Sequence, residues 1–138
     1  MANILYNRFK YNLMTKAVNL GAGGDTILVA LMKTGHSAST ATDNTWSQVS
    51  ANELDNGSGY ITNGATLGNQ SVAQAAATKF DGDDTAWTSA SFTAYYAVLY
   101  DTTATSNLIC SFDFGGAKTV ASGTFTIVYN ASGIITLT

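Results

Sequence analysis

Hydrophobic and polar residues follow two different rhythms along this chain. In the first twenty residues, Tyr6, Phe9, Leu13, Ala17 and Leu20 recur at spacings of three and four, which places them on one stripe of a helix. Asn3 is a plausible N-cap, and Gly21 with Gly23 and Gly24 is a natural stop. Residues 1–20 are therefore expected to form a basic amphipathic helix. It either docks on its own sheet or acts as an arm that reaches a neighbouring surface.

After Gly24 the period becomes two. Asp25–Lys33 is apolar on both alternations, as a strand covered on both faces would be. In Ser91–Tyr100, Phe92, Ala94, Tyr96 and Val98 point one way, and Tyr95, Ala97 and Leu99 the other. Asn107–Phe114 directs Leu108, Cys110, Phe112 and Phe114 to a single side. Gly123–Tyr129 and Ile134–Leu137 close the chain across a turn at Asn130–Gly133. Between Thr34 and Ser89 the sequence is looser. There Trp46–Val49, Tyr60–Ile61 and Gln70–Phe80 are expected as strands or edge segments, and Val72–Lys79 reads as strand despite its alanines.

Short strands with small turns and no alternating helices favour a mainly β fold. The expectation is one domain over residues 1–138: the N-terminal helix, then a body over 25–138 built as an antiparallel β-sandwich or jelly-roll-like barrel. The length of 138 residues suits a single domain with a real core.

Charge alters this picture. Only 11% of residues are charged, against about 25% in ordinary domains. Ala and Thr each occur 20 times, so small neutral groups must cover much of the surface. Arg8, Lys10 and Lys16 precede the first acid, Asp25, so a segment of +3 leads a body of 3 − 9 = −6. The net charge of −3 argues against nucleic-acid binding, which needs a basic footprint. The longest clean apolar run, Ile27 to Met32, is far short of the roughly 20 residues of a membrane span. The first residues do not read as a signal peptide, and one cysteine implies no oxidising compartment, so synthesis in the cytoplasm is expected.

Candidate chemistry is sparse. His36 is the single imidazole, no G-x-S-x-G elbow occurs, and Cys110 lies on an apolar alternation that would raise its pKa. Both read as structural. Asp81, Asp83 and Asp84 form an acidic turn that lacks the further ligands of a calcium loop. Glu53, Asp55 and Asp113 are carboxylates that nothing in the sequence sets opposite one another. Trp46, Tyr60, Trp87, Tyr95, Tyr96 and Tyr100 are aromatics that either stack on sugars or fill the core. The expectation is a protein that is not an enzyme, with no cofactor and no metal.

The succession of segments carries more information. The opening Met-Ala-Asn-Ile-Leu-Tyr-Asn with its basic helix, then Asp25–Leu31, Phe80–Trp87, Tyr95–Thr105, Leu108–Phe114 and the closing Gly123–Ile135 resemble small tailed-bacteriophage virion proteins. The resemblance implies a capsid cement (decoration) protein: all-β, on the capsid exterior of the virion, bridging subunits of the major capsid protein. Such a role fits many modest contacts repeated by symmetry. A homo-oligomer, trimer or dimer on a local symmetry axis, is expected, with Tyr6, Arg8, Phe9, Lys10 and Tyr11 contacting the capsid. The alternative is a phage tail or receptor-binding module that recognises a host surface glycan.

Overall fold

The computed structural model describes residues 3–138. In chain order the elements are β1 (Ile4–Leu5), α1 (Asn7–Met14), β2 (Ile27–Met32), α2 (Trp46–Val49), β3 (Ala65–Thr66), β4 (Ser71–Gln74), β5 (Thr78–Asp81), β6 (Thr85–Asp101), β7 (Asn107–Ile127) and β8 (Ile135–Leu137). All strand pairs are antiparallel. The strands form a five-stranded sheet, ordered β1-β7-β6-β2-β3, and a three-stranded sheet, ordered β4-β5-β8. The mainly β architecture with an N-terminal helix is as expected.

The doubly apolar β2 explains the layering. Ile27, Val29 and Leu31 enter a cluster that includes Phe80 of β5 and Ile135 of β8, which joins the two sheets. Ala30 and Met32 face the other way, into a second cluster with Tyr6, Trp46, Val49 and Tyr100. Trp46 lies flat on Tyr100, with ring centroids 4.4 Å apart. The larger sheet is thus covered on both faces, by the small sheet on one and by α2 on the other.

Several expectations change. The helix is eight residues long and not some twenty, because Lys16 turns left-handed at φ 62°. Its N-cap is Tyr6, while the Asn3 side chain accepts a 2.8 Å hydrogen bond from the Asp113 amide. Leu13 is 37% exposed and Ala17 is exposed; Tyr6, Phe9 and Asn12 form the buried stripe instead. The segment is no detachable arm, since β1 pairs with Cys110 and Ser111 of β7. Trp46–Val49 is helical, its start held by Gln48, whose side chain accepts the Thr45 amide at 2.9 Å. This is the T-x-x-Q capping pattern. Tyr60–Ile61 is a loop. Gln70–Phe80 is two strands, β4 and β5, hinged at Ala75–Ala77.

The later strands are longer and more bent than alternation suggests. β6 and β7 pair from Asp101↔Asn107 to Thr85↔Ile127, with register shifts at Ala94/Tyr96 and Leu99/Tyr100. A one-residue slip sends following side chains to the opposite face. Ala94, Ala97 and Leu99 therefore share one cluster, while Val98 and Tyr100 belong to the other. Leu108 parts from Cys110 and Phe112 in the same way. Gly115 and Gly116, at φ 74° and 133°, form the bend that lets Phe114 and Phe125 of the same strand meet.

Candidate functional site, an aromatic groove along β7

The bend in β7 creates a broad concavity. It is a groove of about 570 Å³, lined by Phe112, Phe114, Phe125, Ile127, Tyr129 and Ile134. Phe112 stands 6.3 Å from Tyr129 and Phe114 6.0 Å from Phe125, centroid to centroid. These side chains are half-buried: they pack on the core with one flank and leave the other open. Val128 is 73% exposed at the wall. Asn3, Asp113, Lys118, Thr126 and Asn130 supply the polar lining. Asp113 is held below the usual carboxylate range chiefly by the Gly115 amide, which donates to it at 2.8 Å. Tyr129 is oriented by a 3.0 Å hydrogen bond between its hydroxyl and that of Thr85. The volume lies in the range of ligand sites, and the lining suits an apolar surface with a polar edge. In the sequence these residues look like ordinary core positions; only the double glycine at 115–116 hints at the bend.

The sequence-derived candidates are dispersed. Tyr6 and Phe9 are buried, in different clusters, so they cannot contact a partner from the folded surface. Lys10 and Tyr11 are exposed and Arg8 is half-buried, its guanidinium 5.5 Å from the Tyr11 ring centre. Of the aromatics considered for sugar stacking, Trp46, Tyr60, Trp87 and Tyr100 are core residues. His36 is buried, with Nε2 3.1 Å from the Ser111 hydroxyl, and burial lowers its pKa. This is a Ser–His contact closed to substrate. The buried Cys110 thiol is pushed up by desolvation.

The acidic residues serve loops. Asp81 pairs with Lys79 at 3.1 Å, Asp83 accepts from the Asn69 side chain at 2.6 Å, and Asp84 accepts from the Tyr129 amide at 2.9 Å. Asp55 pairs with Lys33, and Glu53 is buried against Tyr60. Among the described residues, no group of three or more His, Cys, Asp or Glu side chains could hold a metal ion, and no helix is long and apolar enough to cross a membrane.

Asp101 is the least expected titratable group. It is 1% exposed, and Oδ1 accepts the Thr103 and Ala104 amides. Burial first, and Asp25 second, push its pKa up to about 6. The folded state then binds a proton more tightly than the unfolded chain, so stability falls as pH rises from about 4 to 6 and is flat above. Asp101→Asn keeps the amide contacts and removes the penalty. It should raise unfolding free energy by about 1–3 kcal/mol at pH 7.5 and by little at pH 4. Urea denaturation of both proteins at the two pH values checks this.

The chain matches no family model, no curated protein and no solved structure.

Proposed function

We propose that this protein is a non-enzymatic structural component of a tailed-phage virion, bound to the outer capsid surface and stabilising contacts between major capsid protein subunits. The observation that carries the reading is the groove along β7: a broad apolar concavity, half-open to solvent, on a molecule with few surface charges. Aromatic side chains that keep one face exposed are the residues that dominate protein interfaces. The segments that resemble virion proteins overlap β2, the end of β5 and parts of β6 and β7, strands that shape the groove among them. The exposed Lys10 and Tyr11 and the half-buried Arg8 are further proposed contacts, with Tyr6 and Phe9 as anchors of their helix.

Val128→Asp tests the groove, because a side chain 73% exposed can change without disturbing the core. Added to capsids lacking the protein, the variant should bind at least about tenfold more weakly, the effect of losing a modest hot spot. Its melting temperature should stay at the wild-type value. Undiminished occupancy would sink the groove as the capsid contact. The same aromatics also offer faces on which sugars stack, with Asn3, Asp113 and Asn130 as polar partners. That is the basis of the second reading, a receptor-binding module. Binding on a glycan array, lost in Val128→Asp, would favour it over the capsid.

A further inference from the structure

Open strand edges are the places where a β protein pairs with another chain, and most edges here are blunted. β1 and β3 are two residues long, β8 is three, β6 beyond β2 is interrupted by register shifts at Trp87/Ala90 and Ala90/Phe92, and β7 beyond β1 is bent at Gly115–Gly116. β4 is different. It is the outer strand of its sheet, and all four of its residues are exposed. In an antiparallel ladder alternate residues turn their N–H and C=O groups away from the neighbour, so β4 presents unpaired backbone groups outward. Its side chains offer no protection: Ser71, Val72, Ala73 and Gln74 include no lysine, proline or acid. No charged side chain occurs between Asp55 and Lys79.

Register adds a second feature. Val72 lies opposite Phe80, and Phe80 opposite Ile135, so an apolar row crosses the sheet and ends at the open edge. Phe80 and Ile135 are buried, whereas Val72 is 48% exposed. Val72 also lines a second apolar groove, of about 330 Å³, beside Leu13, Val18 and Leu137. Leu13 and Leu137 are themselves 37% and 47% exposed.

We infer that β4 pairs with β4 of a second copy of this chain, across a two-fold axis beside Val72. Two antiparallel strands related by an axis perpendicular to their sheet keep each face on its own side. A residue on the axis must then meet its own copy, which makes charge there self-repelling and a neutral residue compulsory. The body of the chain is acidic, so a second copy is repelled from much of the surface and met without repulsion at this neutral edge. With Val72 on the axis, the row Ile135–Phe80–Val72 continues into the partner's row, and three strands become a six-stranded sheet. This gives the self-association in the capsid reading a definite interface. It rests on the strand edge alone and stands or falls in solution, without capsids.

Sedimentation of the full chain should show a concentration-dependent dimer. Val72→Asp, at an exposed site, should weaken it at least about tenfold by setting like charges opposite each other. Val72→Cys, with Cys110 buried, should form a disulfide-linked dimer on mild oxidation. Hydrogen exchange at β4 should slow as the wild-type concentration rises. A wild-type chain that stays monomeric at about 100 μM would overturn the inference, that concentration being ample for interfaces of micromolar affinity. So would a dimer that Val72→Asp leaves intact, or one that Val72→Cys fails to link. Loss of capsid binding in Val128→Asp bears only on the groove, so the two readings fail separately.

Discussion

Gly64→Ala should lower the unfolding free energy by about 3–5 kcal/mol, with little change in denaturant m-value, when wild type and variant are compared in urea. Gly64 sits at φ 86°, directly after Asn63 at φ 78°, where the loop turns into β3. A side chain there incurs the left-handed penalty of about 1–2 kcal/mol. It also runs into backbone, since a Cβ would collide with the Val29 carbonyl and lie 2.8 Å from the Ala30 Cα. Those atoms belong to β2, fixed by β6 on one side and by β3 on the other, and cannot retreat. Gly23→Ala separates the two contributions. Its φ is 71°, but nothing lies within 4 Å of a Cβ, so its cost should stay near the left-handed penalty alone, about 1–2 kcal/mol. Equal losses in the two variants would contradict the clash.

The second large effect is expected from Tyr60→Phe, at about 2–4 kcal/mol. Tyr60 is 1% exposed, so the substitution leaves the ring in place and removes only the hydroxyl. That hydroxyl accepts the Leu31 amide at 3.1 Å and donates to Glu53 at 2.8 Å. The Asn63 amide donates to the same carboxylate oxygen. β3 matches β2 only at Leu28 and Val29, and loop residues carry the edge onward from there. Leu54 donates to the Leu31 carbonyl, Lys33 to the Asn52 carbonyl, and the Tyr60 hydroxyl takes the place of a strand carbonyl. Without it a buried amide and a buried carboxylate each lose a partner. Burial raises the Glu53 pKa and the Tyr60 hydroxyl opposes that rise. Removing the hydroxyl should therefore raise it further, and the destabilisation should shrink on moving from pH 7 to pH 4.5. A pH-independent loss in urea denaturation would place the cost at Leu31 alone.

How much of this was legible in the sequence depended on whether the cause was local. The two-sided apolarity of Ile27–Met32 reports burial on both faces, and it is found there. Cys110 was correctly placed inside by its alternation. The capping pair Thr45 and Gln48 was also present to be read, but the tryptophan and valine beside it suggested a strand. Face assignments in β6 and β7 were not legible, because the register shifts depend on pairing between two distant segments. The aromatic groove escaped for the same reason: Phe112 and Phe125 belong to one strand, and only its bend brings their neighbourhoods together. Tyr6 and Phe9 looked like contacts of a basic arm because charge shows which residues can face water, and does not show which hydrophobic neighbours are sealed by β7.

The pairing of β1 with β7 also sets an order of events. Ile4 meets Ser111, and the Tyr6 amide donates to the Ile109 carbonyl, more than a hundred residues along the chain. On a ribosome these backbone pairings cannot close until β7, more than a hundred residues later, has been made. Long-range closure of this kind slows folding and lengthens the time that apolar surface stays exposed. The packing around Tyr6 and Phe9 stays incomplete through that interval, beside the charges of Arg8 and Lys10.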